Sequence, residues 1–403
     1  MTGQIGGSDA ARELEGLGSV RAKAAPIQVP EYQARLQKAR DLLARTGTAD
    51  ALLVGAGTSL RYFSGVPWRM SERLVAMLLP RDGEPVFICP AFETGSFDAV
   101  LAARGQVLTW EEHENPFALV GKAARGVGAK TLALDPQLPL WCQFRLREAA
   151  PALELVDGSA IIDGCRMYKS KAELALIRQA MQMTLEVHRR AARMLRPGIG
   201  AVEVERFIDE AHRALGADNG SSFCIVSFGE GSAYPHGLPG EQFLKEGDVV
   251  LIDTGCQLHG YNSDITRTYV FGQPTEEQRT YWTLEREAQQ AAFDAVRPGV
   301  PCEAVDAAAR AVLEKAGLGP DYRLPGLPHR TGHGLGLDIH EPAYLVRGDR
   351  TPLAAGMCFS NEPMIVVPGK FGIRHEDHFF VTEDGAEWFT EPARSLEQPF
   401  PAA

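Results

Sequence analysis

The sequence predicts an α/β chain of two domains, the second of which consists of two similar halves. The chain has 403 residues, whereas an average domain has roughly 150. Short apolar runs alternate with helical patterns in its first part, and an Arg-Pro-Gly turn followed by a helix occurs twice in its second part. We expect a loose, disordered tail over residues 1–25, one domain over residues 26–164 and a second over residues 165–403.

The first domain shows the alternation of helices and strands. From Tyr32 the segment YQARLQKARDLLARTG has helical periodicity. Five apolar runs then predict buried strands: ALLVG, LVAMLLP, PVFICP, TLALD and LELVD. A long amphipathic helical pattern begins after Cys165, which places the domain boundary there.

The second domain contains a repeat. The Arg-Pro-Gly turn at residues 196–198 is followed by a helical segment ending at Gly216, and the turn at residues 297–299 by one ending at Gly317. The turn and the glycine at the end of the helix both recur after 101 residues. Such turns and glycine helix ends are common on their own. Their equal separation nevertheless favours duplicated halves.

Composition excludes several classes of function. The formal net charge of −11 is spread along the chain, which argues against nucleic acid and anionic membranes as partners. The seven cysteines are odd in number and form no CxxC pair, which argues against a disulfide framework or a thiolate zinc site. No apolar run has the length of a signal peptide or a membrane span. We therefore expect a cytoplasmic protein that acts on a small molecule or a peptide.

Two predicted hairpins carry paired carboxylates. In GDVVLIDTGCQLHGYNSDITRTYVFG, Asp253 and Asp264 are equidistant from a turn centred between Leu258 and His259. In NEPMIVVPGKFGIRHEDHFFVTEDG, Glu362 and Glu376 are equidistant from Gly369. Like charges opposed across a sheet are destabilising, so a cation between them is the simplest resolution. Together with His333, these four carboxylates form one candidate ligand set: Asp253, Asp264, His333, Glu362 and Glu376. Such a set suits two ions of Mn(II), Co(II), Zn(II) or Fe(II).

The segment GHGLGLDIHE, residues 332–341, holds His333 and His340 among three glycines. A glycine loop for nucleotide phosphates must follow a strand and open a helix. Here a proline-broken loop precedes the segment and Pro342 follows it, which disfavours that reading. An ordinary glycine-rich connection and half of a metal site are the other readings.

Over about residues 30–395 the chain resembles the creatinase/aminopeptidase P/prolidase family of metallopeptidases. HRTGHGLGLDIHE, residues 329–341, is similar to the family's proline-peptidase signature. The order of Asp253, Asp264, His333, Glu362 and Glu376 is similar to its dinuclear ligand set. The resemblance implies an N-terminal creatinase-like α/β domain followed by a duplicated pita-bread α+β catalytic domain.

The resemblance also implies a role for each ligand. Two divalent ions, Mn, Co or Zn, would hold a bridging hydroxide. Asp253 would bind one ion, Asp264 and Glu376 would bridge both, and His333 and Glu362 would complete the other. Glu362 would also act as the acid/base that transfers the proton.

Three further catalytic residues follow from the same resemblance. His340 would stabilise the oxyanion or substrate carbonyl, His236 in SAYPHG would contact the substrate, and Arg374 would support the site. Met364 stands where the family commonly has glycine, and this could narrow a pocket.

The leading functional expectation is hydrolysis of Xaa-Pro bonds by a Xaa-Pro dipeptidase, or prolidase, acting as a homodimer on proline-containing di- or oligopeptides. The His340-Glu341 pair is closer to prolidases than the His-Asp ending common in aminopeptidases P. The alternatives are an aminopeptidase P that acts on longer peptides and a non-catalytic or metal-free, creatinase-like member used as a binding module. A non-catalytic or metal-free member would lack one or more of the five metal-ligand residues, and all five are present in this sequence.

Overall fold

The computed structural model describes residues 5–400 and divides the chain into two compact units. One unit comprises residues 27–166, and the other comprises residues 5–26 and 167–400. Within the described residues, no helix combines the length and apolar character needed to span a membrane.

The N-terminal segment corrects one expectation. Residues 5–25 are not a loose tail, because they include helix α1 (Ala10–Leu14), capped by the Asp9 side chain. The Glu13 carboxylate lies 2.6 Å from an Arg193 guanidinium nitrogen, and the Val20 amide donates to the Leu215 carbonyl. These contacts hold the segment against residues of the same unit that are far away in the chain, and local sequence patterns do not reveal such contacts.

The unit of residues 27–166 is an α/β sandwich around a six-stranded mixed sheet with the order β4-β3-β2-β1-β5-β6. Strand β1 is buried at all five positions, as expected of a central strand covered on both faces. The strand β4 was not predicted, and four of its five residues are exposed or only partly buried. In chain order the elements are α2 (Val29–Thr46), β1 (Ala51–Gly55), α3 (Thr58–Ser64), β2 (Ala76–Pro80), β3 (Val86–Pro90), α4 (Thr94–Val100), β4 (Gln106–Trp110), α5 (Pro116–Gly126), β5 (Thr131–Leu134), α6 (Leu140–Ala149), β6 (Glu154–Asp157) and α7 (Ser159–Arg166).

The second unit begins with a long helix whose first turn is closed by a capping box between Ser170 and Glu173. Its strands form sheets with the orders β10-β8-β7 and β12-β11-β13-β16-β17, while β14 pairs with β15. The elements are α8 (Lys171–Met194), α9 (Ala201–Leu215), β7 (Ser221–Phe228), β8 (Val249–Leu258), β9 (Tyr261–Asn262), β10 (Ile265–Val270), α10 (Glu276–Asp294), α11 (Cys302–Lys315), β11 (Gly332–Gly334), β12 (Glu341–Leu345), β13 (Cys358–Asn361), β14 (Met364–Val367), β15 (Phe371–Arg374), β16 (Asp377–Val381) and β17 (Ala386–Trp388).

The two halves of this unit repeat the same backbone contacts. In the first half, the Gly198 amide donates to the Leu244 carbonyl. In the second, the Gly299 amide donates to the Leu353 carbonyl. The helix after each turn, α9 or α11, begins three residues beyond that glycine. The predicted duplication is therefore present in the hydrogen bonding as well as in the sequence.

The first hairpin has a different register from the one predicted. Asp253 is paired with Thr266, not with Asp264, and Gln257 is paired with Asn262. The turn consists of His259 and Gly260, which both have positive φ, of 51° and 87°. Positive φ at both central residues is the type I′ arrangement favoured in two-residue hairpins. The register therefore shifts by two residues, and an even shift keeps Asp253 and Asp264 on the same face.

The second hairpin has the predicted register. Met364 is paired with Arg374 in one ladder, and Asn361 with Asp377 in the next. Glu362 and Glu376 lie at the matching positions between these ladders. The Glu376 amide also donates to the Thr266 carbonyl of the first hairpin at 3.1 Å. This bond brings the two carboxylate-bearing hairpins together.

Candidate metal centre

A cavity of about 620 Å³ opens where the two hairpins meet, and all five predicted ligands line it. Asp253 lies within β8 and His333 within β11, whereas Asp264 lies just before β10, Glu362 just after β13 and Glu376 just before β16. The whole lining consists of Phe223, Ile225, Pro235, His236, Asp253, Asp264, Pro328, His329, Arg330, His333, Ile339, His340, Glu362, Arg374 and Glu376.

His333 lies among the carboxylates. Its Nε2 is 3.2 Å from Glu362 Oε1 and 3.6 Å from Asp264 Oδ2. Its Nδ1 is 3.0 Å from the Gly334 carbonyl oxygen. A proton on Nδ1 is therefore bound to that carbonyl, which directs Nε2 toward the carboxylates as a ligand atom.

The carboxylates themselves are held by buried donors. Arg374 Nη2 donates to Asp253 Oδ2 at 2.6 Å, and its Nε donates to Thr266 Oγ1 at 3.2 Å. The Thr266 hydroxyl donates in turn to Glu376 Oε2 at 2.8 Å. Ser360 Oγ donates to Glu362 Oε1 at 3.1 Å. Sequence reasoning identified Arg374 but missed the two hydroxyls, since isolated Ser and Thr residues carry no distinctive signal.

The electrostatics of this cluster are unfavourable without a cation. Burial raises the pKa of Asp264 and of Glu376 well above their usual range, and the surrounding carboxylates raise both further. Burial also raises the pKa of Asp253, against the Arg374 charge. For Glu362, burial is outweighed by the hydrogen bond and charge of His333, which lower its pKa. Ionised oxygens at this density need positive charge among them.

The donor set fits divalent metal ions. Asp253 Oδ1, Asp264 Oδ1 and Glu376 Oε1 are buried and have no hydrogen-bond partner in the described part of the chain. Buried polar atoms normally have a partner, and oxygen atoms joined by imidazole nitrogen are ligands for Mn, Co, Zn or Fe.

One candidate ligand was missed. His378 is fully buried, and one ligand atom from each of Asp264, His333, Glu376 and His378 lies within 4.8 Å of the other three. Burial and the nearby His333 lower the pKa of His378 well below its usual range, so its ring is neutral. His378 stands two residues after Glu376, which puts both side chains on one strand face. That spacing in HEDH was the available signal.

The other predicted catalytic residues lie at the rim or floor of the cavity. His340 is exposed, and its ring centroid is 4.2 Å from that of His333. Partial desolvation and the His333 charge lower the pKa of His340 to about 4. His236 is also exposed, and the carbonyl of the preceding Pro235 accepts a bond from Arg374 at 3.3 Å. Met364 lies beside Arg374 with its sulfur 3.7 Å from Nη1, and it is not among the lining residues.

Comparison with protein families assigns both units. Residues 175–383 match metallopeptidase family M24, and residues 35–168 match the creatinase/prolidase N-terminal domain. Probable dipeptidase PepE of Mycobacterium tuberculosis is 37% identical over 362 residues, covering 88% of this chain and 94% of that protein. Putative dipeptidase YkvY of Bacillus subtilis is 34% identical over 368 residues, covering 90% and 99%.

Solved structures agree with this assignment. Dipeptidase PepE from Mycobacterium ulcerans superimposes with a TM-score of 0.84 at 36% identity, covering 92% of this chain and 99% of that chain. Prolidase from Thermococcus sibiricus superimposes with a TM-score of 0.81 at 31% identity, covering 89% and 97%. The predicted fold, a creatinase-like domain followed by a pita-bread domain, is thereby confirmed. The chain belongs to metallopeptidase family M24, in the branch that carries a creatinase/prolidase N-terminal domain.

Proposed function

We propose that this peptidase is a Xaa-Pro dipeptidase that depends on two divalent metal ions. The observation that carries the proposal is the convergence of four carboxylates and His333 on one cavity, with buried oxygen atoms left for a cation. Apolar side chains of Phe223, Ile225 and Pro328 line the same cavity and suit a pyrrolidine ring.

Bound ions would lower the pKa of water to roughly 7 and so supply a nucleophile at neutral pH. Glu362, held by Ser360 and His333, would accept the proton from that water and pass it to the leaving nitrogen. His340 at the rim would donate to the developing oxyanion. Arg374 fixes the Asp253 carboxylate and, through the Pro235 carbonyl, the segment that carries His236.

The position of Arg330 in the cavity wall supports the proposal that the enzyme selects dipeptides. Its guanidinium carbon lies 4.5 Å from the centroid of the Tyr344 ring, which orients the group by a cation–π contact. Arg330 is half-buried in the cavity wall and has no ion-pair partner within residues 5–400. A dipeptide substrate presents a free carboxylate next to the scissile bond, and a planar guanidinium binds carboxylates in a bidentate way. We propose that Arg330 binds this group.

The test compares Ala-Pro with Ala-Pro-amide and Ala-Pro-Ala on the metal-loaded enzyme. We expect kcat/KM to fall by about 10²-fold from Ala-Pro to its amide, the loss expected for a charge-assisted hydrogen bond of about 3 kcal/mol. Arg330→Met should remove that difference, whereas Arg323→Met, at an exposed position nearby, should keep it. Faster cleavage of the tripeptide would instead establish an aminopeptidase P. Cleavage of none of the three with the metals bound would refute the peptidase proposal.

A further inference from the structure

A buried ion pair lies behind the segment that carries His340. Lys169 Nζ donates to Glu341 Oε2 at 3.0 Å, and the two side chains are only 2% and 5% exposed. The two residues are 172 positions apart in the chain. Neither lines the cavity. The pair is therefore not explained by contact with a metal ion or a substrate.

Glu341 forms the base of the loop of residues 335–340. It is paired with Gly334 across the ladder of β11 and β12, and its Oε1 accepts from the Asp338 amide at 3.1 Å. A side chain at Gly336 would come within 2.7 Å of both carboxylate oxygens, so the loop folds tightly over this group. One carboxylate thus joins Lys169 to the backbone of the loop.

A second anchor ties the same loop to the metal site. The Asn262 amide group donates to the carbonyls of Gly336 and Leu337 at 3.0 and 2.9 Å. Asn262 is buried and precedes the candidate ligand Asp264 by two residues. The loop is therefore held at one side by Asn262 and at the other by Glu341.

His340 depends on this loop for its position. Within the described residues its side chain makes no hydrogen bond, and it is exposed at the cavity rim. Its placement over His333 must therefore come from the backbone that Glu341 and Asn262 hold. A buried ion pair contributes little net stability, because desolvating both charges offsets their attraction, but it can specify one geometry.

We infer that Lys169 is a positioning residue for His340, acting through Glu341. The inference rests on the proposed role of His340 in peptide hydrolysis. Lys169 orients the loop so that the imidazole meets the oxyanion, and it touches neither substrate nor metal.

The kinetic test is a double-mutant cycle with Ala-Pro as substrate. Lys169→Met should lower kcat by about 10- to 100-fold, less than the roughly 10²- to 10³-fold expected for removal of the donor itself. KM and metal content should change little. In a His340→Ala background the same substitution should have almost no further effect, because the group that it positions is gone. Lys171→Met, two residues away and exposed, is the matched control and should leave kcat unchanged.

The structural test measures backbone amide hydrogen exchange of residues 335–341, and it does not depend on activity. Exchange there should become faster in Lys169→Met and stay unchanged in Lys171→Met. If Lys169→Met fails to fold, the double variant Lys169→Met/Glu341→Gln is used in both tests instead. It removes both buried charges. Unchanged exchange, or an equal loss of kcat with and without His340, would overturn the inference. Lack of peptidase activity in the unmodified enzyme would refute the proposed function alone, and exchange would then decide the positioning role.

Discussion

The two histidines of GHGLGLDIHE should respond differently to substitution. His333 is 2% exposed, with Nε2 directed between Glu362 and Asp264. His340 is exposed at the rim. We therefore expect His333→Ala to lose bound metal, and His340→Ala to keep its metal and lose mainly kcat.

The magnitudes follow from these positions. Removing an oxyanion donor costs about 10²- to 10³-fold in kcat, or about 2.7–4 kcal/mol of transition-state stabilisation. Since the His340 side chain is exposed, its removal should change folding stability by no more than about 0.5 kcal/mol. Removing the His333 imidazole deletes a ligand atom from a cluster of buried carboxylates. Its effect on metal affinity should exceed the roughly 10- to 100-fold typical of losing a residue that only orients a ligand.

The assay combines elemental analysis of dialysed protein with steady-state kinetics on Ala-Pro and thermal unfolding. In His340→Ala, metal stoichiometry and Tm should match the unmodified enzyme while kcat falls. Loss of metal in His340→Ala together with full metal in His333→Ala would refute the assignment of the two rings.

Three further outcomes are expected. Chelator treatment should abolish Ala-Pro hydrolysis and Mn(II), Co(II) or Zn(II) should restore it, so full turnover by verified metal-free enzyme would contradict a metal-dependent reaction. Asp264→Asn should reduce metal stoichiometry, yet raise the Tm of the metal-free protein at pH 7. Burial and neighbouring carboxylates raise the pKa of Asp264, so its contribution to stability is present at acid pH and lost as the pH rises, and the Tm gain should disappear near about pH 4. Glu13→Gln should show the opposite pH dependence: burial opposes the effect, but Arg193 lowers the pKa of Glu13, so the carboxylate stabilises the fold at pH 7 and this is lost as the pH falls. A Tm difference for Glu13→Gln that persists at about pH 3 would exclude this linkage.

The sequence by itself determined the features that depend on local periodicity and on turn chemistry. Five of the six strands of the first domain, the duplicated helices and the register around Gly369 were predictable, because apolar spacing and a Pro-Gly-Lys turn are local signals. The five candidate ligands were also predicted from the sequence, and all five line one cavity. Asp253 and Asp264 were predicted with a wrong register, yet they lie on one face, since an error of two residues preserves the face of a strand.

Only the tertiary structure decided which distant side chains meet. The contact of Glu376 with Thr266, the position of His378 beside His333 and the pairing of Lys169 with Glu341 join segments that are far apart in the chain or share no motif. The defined conformation of residues 5–25 likewise depends on contacts with α8 and α9. Side-chain alternation fixes the face on which a residue lies, but its neighbour across that face depends on how strands and helices pack, and packing is a property of the whole chain.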